Sequence, residues 1–303
     1  MRRPRRFGRA RHLPTRRRAA EILYDVVYAG GWPAALARLL GLGGELRVNA
    51  EEIRLTTTRP SPPLRVSFIS DLHAGPATHR RMIEAACHAA ASFRPDVLLL
   101  GGDFVSFHAR FVDRLVGPLQ AIDAPLGKLA VLGNHDLIGD EDYIVERLAD
   151  AGVRTLVNAN VRLAAPHEGT WVCGLDNPEE GDPDAERAFA GATGTRVVLM
   201  HSPDGLRWIG DREFAIAFCG HTHGGQFFLT KDRALVSFSG PLSRKYLRGG
   251  RFALEPEERR VLLVSRGIGQ GSLPMRRRAD PEVHLCTLTF SAARSSAPTL
   301  GRA

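Results

Sequence analysis

From residue 64 onward, short apolar runs alternate with amphipathic stretches. Residues 64–70, Leu-Arg-Val-Ser-Phe-Ile-Ser, have the composition of a strand, and residues 79–93 place Met82, Ala86, Ala89 and Phe93 at helical spacing. Val97, Leu98, Leu99 and Leu100 form a continuous apolar run of the length of a buried strand. A second helix is expected over 113–122, a strand over 129–132, and a third helix over 141–151 that stops at Gly152. Further strands are expected over 154–157, 170–173, 197–200, 215–218, 261–265 and 284–290. This order predicts a layered α/β domain with central β-sheets flanked by helices, not an all-helical or all-β one. Upstream, Ile22, Val26, Ala29, Leu36, Leu39 and Leu40 repeat at helical spacing interrupted by Gly30, Gly31 and Pro33, which predicts two short amphipathic helices. The chain thus divides into a tail over 1–18, a helical extension and linker over 19–62, a catalytic domain over 63–290 and a frayed polar tail over 291–303.

Composition excludes several classes. With 44% hydrophobic and 24% charged residues in 303, there is enough apolar surface to offset the entropy of ordering the chain. The most apolar stretch, residues 19–44, is interrupted by Glu21, Asp25, Pro33 and Arg38, so it lacks the roughly 20 clean residues that a bilayer helix needs. Cys87, Cys173, Cys219 and Cys286 lie far apart and form no CxxC pair, which fits a reducing cytoplasm. The net charge is +8, yet nine arginines fall within the first 18 residues and the remainder carries −1. A nearly neutral body argues against nucleic acid as a partner, since affinity for it comes mainly from phosphate neutralisation. The two amphipathic helices, helped by the arginine tail, instead suit peripheral contact with the anionic inner face of a membrane, the alternative being that they pack on the catalytic domain.

Metal-ligand residue types cluster where the early strands are expected to end: Asp71-Leu72-His73, Gly102-Asp103, and Gly133-Asn134-His135-Asp136. Asp103 follows Asp71 by 32 residues and Asn134 follows Asp103 by 31, each about the length of one strand-helix-strand unit. Right-handed crossovers bring the carboxyl ends of successive parallel strands to one sheet edge, where open α/β sheets bind ligands. Two later strands end alike, at His201 and at Gly220-His221-Thr222-His223.

In these five ordered blocks the sequence resembles the calcineurin-like metallophosphoesterases. Ser265-Arg266-Gly267-Ile268-Gly269, Pro274-Met275-Arg276 and Pro281-Glu282-Val283 extend the resemblance toward the branch of bacterial phosphodiesterases often attached to membranes. The resemblance implies a dinuclear metal site at the strand carboxyl ends: one ion on Asp71, His73 and His223, the other on Asn134, His201 and His221, with Asp103 bridging. It implies that His135 stabilises the transition state or protonates the leaving oxygen, and Asp136 is expected to orient and charge that imidazole. Carboxylate, amide and imidazole ligands without thiolate suit divalent manganese, ahead of iron or zinc. The implied activity is hydrolysis of a phosphodiester or pyrophosphate, with lipid-linked substrates such as UDP-diacylglucosamine suggested by the branch. A nuclease or cyclic-nucleotide phosphodiesterase is the alternative enzyme, and a non-catalytic scaffold the alternative class. Every expected ligand is present, which disfavours the scaffold. Arg266 and Arg276 could contact a substrate phosphate, but a structural role suits them as well.

Overall fold

The computed structural model describes residues 26–57, 61–230, 234, 240–254, 260–271 and 273–292. Expectations for 1–18, for the start of the first helix and for 293–303 lie outside these. The ordered elements are helix α1 (Trp32–Leu39), strand β1 (Arg47–Thr57), β2 (Leu64–Ile69), α2 (Arg80–Ser92), β3 (Val97–Leu100), α3 (Asp113–Gln120), β4 (Lys128–Ala130), α4 (Asn134–Ile138), α5 (Glu141–Asp150) and β5 (Val153–Thr155). They continue with β6 (Ala159–Arg162), β7 (Thr170–Gly174), α6 (Ala185–Phe189), β8 (Thr195–Leu199), β9 (Ile216–Cys219), β10 (Gly250–Leu254), β11 (Arg260–Val264) and β12 (Glu282–Ala292).

Helix boundaries follow local chemistry. The His79 ring accepts from the Arg81 amide at the start of α2, and the Asp140 carboxylate accepts from the Tyr143 amide at the start of α5. The chain leaves α5 at Gly152, whose φ of 76° suits a glycine past a helix end.

The strands form two six-stranded sheets, ordered β1-β12-β2-β3-β4-β5 and β10-β11-β9-β8-β7-β6. In the first, β2 to β5 run parallel and β12 lies antiparallel to β2. In the second, β7, β8, β9 and β11 run parallel. Alternation along β3 explains the layering. Val97 and Leu99 join Phe68, Phe218 and Leu263 in the core between the sheets, whereas Leu98 and Leu100 face the helices, against Ile83, Ala86, Leu115 and Leu148. A third core, around Val198, Ala217 and Leu262, sits on the outer side of the second sheet. Full burial of each such large side chain contributes about 1.5–3 kcal/mol.

The linker expected up to residue 62 needs correction. Residues 47–57 form β1, which pairs in parallel with β12 along its whole length, from Arg47 opposite Glu282 to Thr57 opposite Ala292. Its first half carries Glu51 and Glu52 and is largely exposed at the sheet edge, so alternation is confined to Ile53, Leu55 and Thr57 at its end, too short a run to mark the strand. β12 likewise continues through residues 291 and 292, where a frayed tail was expected.

Candidate metal centre

The carboxyl ends of β2, β3 and β4 meet those of β8 and β9 at one edge. The chain leaves these strands through turns of unusual backbone: Asp71, His73, Asp103, His221 and His223 have φ of 53°, 42°, 54°, 70° and 49°. Such left-handed conformations cost on the order of 1–3 kcal/mol each for a residue with a side chain and persist only where the surroundings fix them. Here the Asp71 amide donates to Gly102 O at 2.9 Å, the His73 amide to Asp103 O at 2.9 Å and the Gly269 amide to Asp71 O at 2.6 Å. Gly220 allows the closest approach, since a Cβ there would collide with Ser70 Oγ and Asp71 Oδ2.

These turns bring all seven sequence-selected residues together in two groups. In one, His73 Nε2 lies 3.0 Å from His223 Nε2, and His223 Nε2 lies 3.5 Å from Asp71 Oδ1. In the other, His201 Nε2 lies 3.1 Å from Asn134 Oδ1, and His221 Nδ1 lies 3.2 Å from both of those atoms. Asp103 joins the groups: its Oδ2 is 3.3 Å from His73 Nε2 and 3.5 Å from His201 Nε2, while its Oδ1 accepts from the His135 amide at 2.9 Å. Asp71, His73, Asp103 and His223 offer one ligand atom each within 4.8 Å of one another.

The residues fit a pair of divalent cations. Lone-pair donors of two carboxylates, an amide and four imidazoles converge in a buried space, where charge persists only when it is paired. Electrostatics agree. Burial opposes a charge on His201, yet the Asp103 carboxylate outweighs it and carries the imidazole up to about 10. Burial likewise raises Asp103, but His201 and His135 pull it well below the usual carboxylate range. The site thus attracts positive charge, and its oxygen and imidazole donors suit borderline or hard metals.

Neighbouring groups aim the imidazoles. His201 Nδ1–H donates to Gly101 O at 2.8 Å, which turns Nε2 inward. His221 points Nδ1 inward and sets Nε2 3.3 Å from Glu179 Oε1. Arg276 Nη2 lies 3.2 Å from His223 Nδ1. No signal in the sequence singles out Glu179, because Asn177-Pro178-Glu179-Glu180-Gly181 has the composition of a turn.

His135 lies beside the first group, with its ring edge-on to His73 at 4.8 Å between centroids. Its Nδ1–H donates to Ser106 O, and burial holds the imidazole below its ordinary value against the pull of Asp103. Asp136 departs from expectation. Instead of reaching His135, its Oδ1 accepts from the amides of Phe104 and Val105 at 2.8 and 3.3 Å and its Oδ2 from the Gly133 amide at 2.9 Å. From the first turn of α4 the side chain points back toward the helix start, so it braces the loops that carry Asp103 and Asn134. Burial and the Asp103 charge raise it to about 7. The two arginines are structural: Arg266 Nε donates to Glu282 Oε2 at 2.9 Å, and buried Arg276 donates to the carbonyls of Arg266, Gly269 and Ala279.

The model of the calcineurin-like phosphoesterase family matches residues 64–225, which span β2 to the second histidine of the Gly-His-Thr-His block and the two glycines after it. The chain belongs to this family. It is 31% identical over 237 residues to the phosphodiesterase YaeI of Escherichia coli, covering 75% of this chain and 82% of the relative. An uncharacterized metallophosphoesterase of Aquifex aeolicus is 26% identical, with 80% and 92% covered. The UDP-2,3-diacylglucosamine pyrophosphatase LpxG of Chlamydia trachomatis is 27% identical, with 73% and 82% covered. Membership makes the chain a hydrolase of phosphoester bonds in a family that uses two divalent metals. Among the described residues no helix is long and apolar enough to cross a membrane.

Proposed function

We propose that the chain hydrolyses phosphodiester or pyrophosphate bonds of lipid-linked substrates such as UDP-diacylglucosamine. One divalent ion would be held by Asp71, His73 and His223, the other by Asn134, His201 and His221, with Asp103 shared. The observation that carries this reading is the position of Asp103 Oδ2 between imidazoles of both groups. Manganese, ahead of iron or zinc, suits the donors. Two such ions supply Lewis-acid polarisation of phosphoryl oxygens and activation of water. The chain's own residues do the rest. His135, fixed through Nδ1 on the Ser106 carbonyl, presents Nε2 to the phosphoryl group; burial disfavours its charged form and an anionic substrate favours it, which links its acid role to bound substrate. Asp136 keeps the loops of the two groups in register.

LpxG, a pyrophosphatase of UDP-2,3-diacylglucosamine, supports the lipid-linked part. The cysteines and the nine arginines before residue 19 support a cytoplasmic protein in peripheral contact with the membrane's inner face. Metal analysis of the purified protein, followed by a hydrolysis screen, tests the reading. Close to two ions per chain, turnover of bis-p-nitrophenyl phosphate, and preference for UDP-diacylglucosamine over monoesters and cyclic nucleotides are expected. Failure to hydrolyse any diester after addition of manganese would overturn it.

A further inference from the structure

Segment 26–40 wears its polarity inside out. The side of α1 turned to the body presents only Ala34 and Ala37, whereas Trp32, Leu36, Leu39 and Leu40 point outward, with Leu39 83% and Leu40 62% exposed. Val26 and Val27 extend this face, which holds six of the nine exposed large hydrophobic side chains among the described residues. A surface helix normally buries its bulky side chains, and an apolar patch of this kind marks an interaction surface.

Beside the start of α1 lies a cavity of about 540 Å³, walled by residues 28–31 and by Gly75, Pro76, Arg80, Arg110, Phe111 and Arg114. No described residue lining it is acidic. Arg80 pairs with Glu84 at 2.7 Å, but no carboxylate of the described residues lies within ion-pair distance of Arg110 or Arg114. Both of these guanidiniums instead lie on the Phe111 ring, at 5.2 and 4.5 Å, and Arg114 also donates to Gly75 O at 3.2 Å. Burial, and then the charges of Arg80 and Arg110, hold Arg114 below its ordinary value. An anion would relieve this repulsion, and guanidiniums bind phosphate with paired hydrogen bonds.

The cavity is linked to the metal centre. Tyr28 packs with Ala77 and Phe107, and Phe107 meets the His135 ring edge-on at 6.0 Å. Cationic cavity and apolar face together match one chemistry, a phosphate next to acyl chains. We propose that the Arg80, Arg110 and Arg114 cavity binds the headgroup phosphate of an anionic phospholipid while Trp32, Leu36 and Leu39 insert into the bilayer interface around it. This deepens the lipid-linked reading and rests on it for its functional meaning, because docking there would present the metal centre to substrate at the lipid surface.

Sedimentation of the full chain with vesicles tests the site, using phosphatidylcholine alone or mixed with phosphatidylglycerol, near 0.15 M salt; the nine arginines before residue 19 are present in every arm, so differences between variants report on the cavity and on the apolar face. The unaltered chain should favour the mixed vesicles, and brominated acyl chains should quench its tryptophan fluorescence. Trp32→Ser/Leu36→Ser/Leu39→Ser should weaken binding at least tenfold. Arg80→Gln/Arg110→Gln/Arg114→Gln should weaken the preference for phosphatidylglycerol beyond what the unaltered arginine tail sustains, with circular dichroism verifying that both variants stay folded. The proposal is overturned if the unaltered chain ignores mixed vesicles or if both variants bind as it does. Self-association of the chain that the serine variant abolishes, without vesicle binding, would assign the face to a second copy and overturn it equally. Hydrolysis of bis-p-nitrophenyl phosphate, measured separately without lipid, tells a failure of this site from a failure of the hydrolase reading.

Discussion

Asp71, His73, Asp103, Asp136 and His201 lie buried at the carboxyl edge of the sheets, whereas Val26, Trp32, Leu39 and Leu40 stand in water on segment 26–40. Each region inverts the ordinary distribution of polarity, and each does so at a cost. At the edge the cost is desolvation of charge and left-handed backbone, sustained by a dense set of hydrogen bonds. On the segment it is apolar area left in water, about 25 cal/mol per Å². The two differ in what holds them. The edge is fixed by its neighbours on every side, so a single substitution propagates; the outward face of α1 touches little, so a substitution there stays local.

The largest effect expected at the edge comes from Asp103→Ala. This carboxylate faces both groups of donors, so its loss should empty at least one metal position and reduce hydrolysis to background, as read by metal analysis and turnover of a soluble diester. A variant that kept two ions would show that the groups are independent. His135→Ala should act differently, because its Nδ1 is held by the Ser106 carbonyl and the side chain is not among the residues expected to hold an ion. Metal content should stay near that of the unaltered chain while turnover falls by roughly 10² to 10⁴, the range for a positioned acid or base.

Glu179→Ala should come next, weakening metal binding by up to roughly 10-fold, the low end for partners of a ligating imidazole, since Glu179 Oε1 faces His221 Nε2 at 3.3 Å as a charge contact without hydrogen-bond geometry. Chelator competition measures it. Glu179→Gln, which keeps an oxygen for His221 Nε2, should restore most of the loss.

That residue also marks the limit of what could be read from the chain. The five blocks are legible because each pairs metal-ligand residue types with an apolar strand, and the fold brings them to one edge. Glu179 had no such context, since its partner lies on a different loop. The left-handed turns at Asp71 and His223 left no trace either, because residues with side chains do not advertise positive φ as glycine does. β1 reads as linker in the sequence because its alternation is confined to Ile53, Leu55 and Thr57 at its end, while the stretch from Arg47 to Glu52 is mostly exposed at the sheet edge. The hydrogen bonds of Asp136 are not legible for another reason: adjacency to His135 in sequence does not place two side chains of a helix on the same face.

The smallest effect should come from the other region, through Leu39→Ser. Leu39 is 83% exposed at the end of α1, so the substitution removes almost no buried apolar area. The helix preference of leucine over serine is worth a few tenths of a kcal/mol, and the gain from removing apolar surface from water works against it. Stability in urea should therefore change by no more than about 0.5 kcal/mol, the range of ordinary surface substitutions. Leu99→Ala provides the scale. That side chain is fully buried between the sheets, and its truncation should cost about 2–5 kcal/mol. If Leu39→Ser destabilised the chain on the scale of Leu99→Ala, the outward face of α1 would be holding the fold together, and the contrast between a braced edge and an unbraced face would collapse. A near-zero change, together with weaker vesicle binding by the variant that combines it with Trp32→Ser and Leu36→Ser, would mean that the exposed leucine is kept for something outside the fold.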